Sequence, residues 1–196
     1  MTVEVLFVTH ASCGLGSAMP GGRVHDLDLS ADGLRHADRL GEMLAQRKLA
    51  AVYCSPLRPA RLTAGPIAKA AKAPLRLDDD LQAIDFGVRT GEPMAPFLAG
   101  GDPGFDLVTG GGPQGEGLAD VGRRALRFMA HAEAAHAGRS VAAVTHVELV
   151  RAAVCLVLGM GLAAHDRLAI EPGGVTEVLF GDWGARLAGL NQTPTP

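Results

Sequence analysis

Val3 to Ser12 reads VEVLFVTHAS, an apolar strand that stops on His10, and Val141 to Leu149 reads VAAVTHVEL, a second such strand that stops on His146. Apolar runs of this length are what a parallel sheet buries on both faces. In such a sheet the carboxyl ends of the strands open onto one crevice, beside the N-termini of the following helices. The chain therefore predicts that two imidazoles from opposite ends of the sequence meet at one site. Two unrelated strand-end histidines are the plain alternative.

Between and after these strands the pattern alternates. ASCGLGSAMPGGR, residues 11–23, is too rich in Gly for regular structure. Ser30 caps a helix expected over Ala31 to Lys48, with Leu34, Ala37, Leu40, Gly41 and Leu44 inward. A strand over Leu49 to Cys54 leads into a helix opened by Ser55-Pro56 and running to about Ala71, then a short strand at Leu75 to Leu77. Residues 87–117 are dense in Gly and Pro, which predicts a cover over the crevice with one short helix near Pro96. A helix over Leu118 to His136 points Val121, Ala125, Phe128 and Met129 inward, and its Arg123, Arg124 and Arg127 are expected on a solvated face. Strand Ser140 to Thr145, helix Glu148 to Leu158 and a hairpin (Val175 to Phe180, Arg186 to Leu190) close the chain, with Trp183 at the hairpin. The prediction is one three-layer α/β/α sandwich over residues 1–196, its sheet mostly parallel with an antiparallel edge.

Composition narrows the class without naming a function. With 47% apolar and 20% charged residues, 196 residues suffice for a full core. A net charge of −3 gives no case for a nucleic-acid or anionic-membrane partner, and no apolar run approaches a membrane span. Three widely spaced cysteines argue against a disulfide framework or zinc ribbon and for a reducing, cytoplasmic setting. The expected partner is a small molecule in the crevice, with no cofactor and no metal, and a homodimer is the ordinary default.

The segments around the two histidines resemble the histidine phosphatase superfamily, also called phosphoglycerate-mutase-like, almost end to end. Residues 27–68, LDLSADGLRHADRLGEMLAQRKLAAVYCSPLRPARLTAGPIA, resemble that family's L-T-x-x-G helix and its S-P-L-x-R-A-x-x-T segment. LQAIDFG (81–87) resembles L-x-E-x-x-x-G, GEGLADV (115–121) resembles G-E-S-x-x-D-V, and VTHVELVRA (144–152) resembles S-H-G-x-x-I-R-A. LAGLN (187–191) is similar to the terminal strand of the α-ribazole phosphatase branch. The resemblance implies a nucleophilic His10 that takes up the phosphoryl group, with His146 and two arginines binding its oxygens and a Glu or Asp protonating the leaving alcohol. A phosphoryl group in flight carries diffuse negative charge, and preorganised cations stabilise it.

Matched position by position, the charges are missing. The arginine expected before the nucleophile is Thr9, the second is Pro59, and the acid is Ala83. The glycines after the two histidines are Ala11 and Val147, followed in the second case by Glu148. A transition-state donor in a dry site is worth about 3–4 kcal/mol, and a general acid roughly another hundredfold. Weak or absent phosphomonoesterase activity is therefore expected. Three displaced arginines, Arg58, Arg23 and Arg89, are candidates to refill the pocket, and Asp85 to serve as acid; the plain alternative for each is a solvated surface charge. A second reading takes His10, His146 and Glu148 as an acid–base set, with Thr9 and Ser12 among the binding groups and Cys13 nearby, acting on a non-phosphate molecule by isomerisation, cyclisation, dehydration or hydrolysis. A third is a non-catalytic ligand-binding protein. The crevice should be lined by Thr9, His10, Ser12, Arg58, Ala83, His146 and Glu148.

Overall fold

The computed structural model describes residues 1–93, 106–108, 110 and 112–194. Strands β1 (Val3–Thr9), β2 (Leu49–Cys54), β3 (Leu75–Leu77), β4 (Ser140–Thr145), β5 (Val175–Gly181) and β6 (Gly184–Gln192) form one sheet in the order β3-β2-β4-β1-β5-β6. The pairs β1–β4, β2–β4 and β2–β3 are parallel, whereas β1–β5 and β5–β6 are antiparallel. This is the mostly parallel sheet with an antiparallel edge that the strand–helix alternation predicts.

Side-chain alternation along β1 builds the layers. Val5 and Phe7 belong to a buried cluster with Val121 and Phe128 of helix α3 (Leu118–Ala135) and Leu149 of helix α4 (Val147–Val157). Leu6 and Val8 point the other way, into a cluster with Leu40 and Leu44 of helix α1 (Ala31–Leu44) and Ile67 of helix α2 (Arg58–Ala71). Both faces of the central strand are thus apolar and covered, which is why its sequence does not alternate.

Helix α1 differs from expectation in end and phase. It stops at Leu44 in a short 3-10 turn, Ala45–Arg47, and Lys48 reverses the chain at φ 50°. Leu34 is 46% exposed, and Gly33 takes the inner place. The Ser30 hydroxyl caps the helix by accepting from the Gly33 N–H, and it donates to the Ser12 carbonyl. A Cβ on Gly33 would lie 2.0 Å from that same carbonyl oxygen. The close approach sets the helix phase and turns Leu34 outward.

The cover expected over 87–117 falls only partly within the described residues. Gly87–Arg89 is a 3-10 turn, Pro20 bridges to Pro93, and Leu107 and Val108 pack on the core. The short helix expected near Pro96 lies outside them. The closing hairpin forms as predicted, with the Arg186 guanidinium 4.1 Å from the Trp183 ring centre at its turn. No described helix is long and apolar enough to cross a membrane.

Candidate active site

Strand register brings the two histidines together. In the β1–β4 pair Thr9 stands opposite Thr145, so the next residues, His10 and His146, leave the sheet side by side. The His10 N–H still donates to the Thr145 carbonyl at 2.9 Å, and the ring centres lie 5.1 Å apart, edge to face. His146 is the N-cap residue of α4.

Each ring has one nitrogen fixed. His10 Nδ1 lies 2.9 Å from the Ala11 carbonyl oxygen. A carbonyl only accepts, so Nδ1 carries the proton and Nε2 keeps its lone pair. His146 Nε2 lies 3.0 Å from Ser55 Oγ. Burial lowers the His10 pKa, with the Ala11 contact opposing it. Burial also holds His146 well below the usual imidazole range, helped by His10, Arg124 and Arg23. Near neutral pH both rings are uncharged.

The rings open onto a cavity of about 520 Å³. Leu15, Met19, Ile84, Val147 and Ile170 supply much of its wall. Ser12, Cys13, Glu148, Arg151 and Glu171 supply polar groups. Burial pushes the Glu148 carboxyl up, against the pull of its own backbone N–H, Arg151 and Arg124. Burial, reinforced by Asp28, raises the Cys13 thiol to about 11, so it is protonated and a poor nucleophile.

Six of the seven residues expected at the crevice line it: Thr9, His10, Ser12, Ala83, His146 and Glu148. Arg58 does not. Its Nε pairs with Asp28 at 2.6 Å, and half its side chain is in solvent. Leaving α2 at its first residue, it points outward, while the buried Pro59 occupies the inner side of that turn. Arg23 and Arg89 are likewise absent from the described lining. Arg89 pairs with Glu92 at 3.1 Å. Arg23 is engaged elsewhere, donating to the Ala83 carbonyl at 3.2 Å and pairing with Glu116 at 3.0 Å and Asp85 at 3.4 Å. Asp85 is also occupied with the Gly87 N–H at 2.8 Å. The Thr9 hydroxyl faces backbone too, donating to the Glu171 carbonyl at 2.6 Å and accepting from the Gly174 N–H at 3.0 Å.

Three residues matter that the sequence reading did not single out. Arg124, expected in solvent, is 6% exposed. It grips Glu116 through two nitrogens, at 2.8 and 2.9 Å, and donates to the carbonyls of Asp80, Gln82 and Ala83. Arg151 reaches the cavity, its Nε anchored on the Leu168 carbonyl at 2.9 Å. Its position three residues after Glu148 on one helix was the available signal. Ser55, beside His146, was legible only as the first residue of the S-P-L-x-R segment and the opening of a helix, not as a partner of His146. Among the described residues, no three His, Cys, Asp or Glu side chains converge to hold a metal ion.

Known proteins agree with this architecture. Residues 5–193 match the histidine phosphatase superfamily (branch 1). Phosphoserine phosphatase 1 of Hydrogenobacter thermophilus is 30% identical over 171 residues, covering 82% of this chain and 79% of that protein. Mycobacterial hydrolase 1 superposes with a TM-score of 0.85 at 24% identity, over 98% of this chain and 100% of that one. A phosphoserine phosphatase mutant from Entamoeba histolytica, in complex with phosphoserine, gives 0.81 at 16% identity over 97% of both chains. With its two strand-end histidines in parallel register, the chain belongs to the histidine phosphatase superfamily.

Proposed function

We propose that this protein is a diverged histidine phosphatase whose phosphoryl pocket has become a neutral acid–base site, with weak or no phosphomonoesterase activity. One observation carries the reading. The positions matching the family's two arginines and its acid hold Thr9, Pro59 and Ala83, and the candidates to replace them, Arg58, Arg23 and Arg89, are engaged with Asp28, with Asp85 and Glu116, and with Glu92. A phosphate dianion entering this cavity would meet two uncharged imidazoles, Arg151 in place of the family's two arginines, and Glu148, which repels it when ionised.

What the site offers instead is a proton acceptor and a proton donor. His10 Nε2 has a free lone pair, and Glu148, whose pKa burial raises, is the carboxyl in the lining placed to return a proton. Such a pair suits isomerisation, elimination, cyclisation or hydrolysis of a small molecule with little charge and a largely apolar body. The free cysteines Cys13, Cys54 and Cys155 fit action in a reducing cytoplasm.

A second reading, a slow phosphatase for phosphoserine-like substrates, is favoured by the 30% identity to phosphoserine phosphatase 1 and by the single guanidinium of Arg151 in the described cavity lining. Hydrolysis of an aryl phosphate and of phosphoserine from about pH 5 to 8, in wild type and His10→Ala, separates the two. Equal, background-level rates are expected. Turnover abolished by His10→Ala would establish the second reading and end the first.

A further inference from the structure

Ser55 is fully buried, 91 residues from His146 in sequence, and its hydroxyl has two partners. Oγ accepts the Leu57 N–H at 3.2 Å and faces His146 Nε2 at 3.0 Å. A hydroxyl has one proton to give. The Leu57 N–H is itself a donor, so among the described groups only His146 Nε2 can receive that proton. The reverse arrangement, with Nε2–H donating to Oγ, would leave the hydroxyl proton sealed from water without an acceptor, which folded proteins avoid. The ring's other nitrogen, Nδ1, has no protein partner among the described residues and is not one of the unpaired polar atoms closed off from solvent. His146 lines the cavity, and with Nε2 taken by Ser55, Nδ1 is the ring nitrogen left for a ligand.

We infer that Ser55 is a positioning residue that fixes His146 as the Nδ1–H tautomer, so that the two site histidines present opposite hydrogen-bonding faces: His10 Nε2 accepts and His146 Nδ1–H donates. The tautomer follows from buried hydrogen-bond geometry alone. Its use in catalysis rests on the acid–base reading above. His146 is then neither base nor acid. Giving up its Nδ1 proton would leave an imidazolate, so it keeps that proton and polarises the substrate atom on which negative charge builds, as a neutral imidazole can. His10 takes the substrate proton and becomes an imidazolium, and the proton returned to substrate comes from Glu148. The ligand this pair fits carries an acidic C–H, N–H or O–H group on the His10 side and a carbonyl-type oxygen on the His146 side.

The test is NMR of ¹⁵N-histidine-labelled protein at neutral pH, with the ring signals assigned by their loss in His146→Gln and His10→Gln. In wild type, His146 should give a protonated Nδ1 and an unprotonated Nε2, and a slowly exchanging Ser55 hydroxyl proton should show a cross-peak to the His146 ring. Ser55→Ala should release the ring into a mixture of both tautomers, and Ser55→Thr, which keeps the hydroxyl, should restore the single form. A wild-type His146 protonated at Nε2 or at both nitrogens overturns the inference. So does a Ser55→Ala protein whose His146 remains wholly Nδ1–H. If Ser55→Ala does not fold, the hydroxyl cross-peak decides in the unaltered protein: its absence overturns the assignment. None of these readouts uses turnover, so an active phosphatase with an Nδ1–H His146 would end the acid–base reading while leaving this one standing.

Discussion

Glu116 is held in a cluster of arginines and Glu148 lines the cavity, and their carboxyls are pushed in opposite directions. At Glu116 burial pushes the pKa up, but Arg124, the Asp85 backbone N–H and Arg23 together outweigh it and leave it lowered. At Glu148 burial dominates, and the pKa stays raised. The difference lies in where the arginines went. Arg124 and Arg23 are both committed to Glu116 and to the Ala83 carbonyl, and neither is among the described lining residues. The described lining of the cavity is left with two neutral rings and one guanidinium, that of Arg151. This superfamily member has not lost buried guanidinium groups altogether; it holds them in a closed structural network, outside the pocket.

The largest effect should come from breaking the closed cluster. Arg124→Met leaves the Asp80 and Gln82 carbonyls without their arginine donor and Glu116 with Arg23 alone, and should cost about 3 kcal/mol of stability, the low end for removing one partner of a buried ion pair. A urea titration reads it as a lower midpoint at unchanged slope. Next in size is the attempt to put charge back into the cavity. Thr9→Arg, Pro59→Arg and Ala83→Glu combined should raise aryl phosphate hydrolysis by about a hundredfold or more over wild type, and His10→Ala in that background should abolish the gain.

The glutamates themselves give a subtler contrast, with opposite signs. Glu116, with its pKa lowered from an ordinary 4.5, stabilises the fold above that value and loses the contribution as pH falls below it. Glu116→Gln should therefore cost more at neutral pH than in acid. Glu148, raised from the same 4.5, contributes fully below that value and progressively less as pH rises through its folded pKa. Glu148→Gln should become relatively more stabilising between about pH 4 and 8. Thermal unfolding across that range checks both, and parallel trends would remove the contrast. The smallest effect is expected at Arg58, whose pairing with Asp28 is in solvent. Arg58→Ala should change neither stability nor any turnover.

The sheet and its two histidines were legible because an apolar run ending on one polar residue marks both the strand and the atom it delivers. Thr9, Pro59 and Ala83 were equally plain as departures from a pattern of charges. Arg124 was misread, although the helix phase held the clue. It lies three residues after Val121 and four before Phe128, both buried, on the inner face of α3. What the sequence could not supply was its set of acceptors, among them carbonyls of Asp80, Gln82 and Ala83 more than 40 residues upstream. Ser55 and His146 are further apart still. Strand periodicity reports which face a side chain takes. It does not report which distant polar atom will be waiting there.

Gly33 carries a last consequence. The helix surface rests on the Ser12 carbonyl where any side-chain carbon would collide with it, and Ser12 and Cys13 form part of the cavity wall. The width of the pocket on that side is thus gauged by a missing methyl group on a helix that does not itself line the pocket. A change at this glycine would resize the binding space from behind, without altering a single atom that a ligand touches.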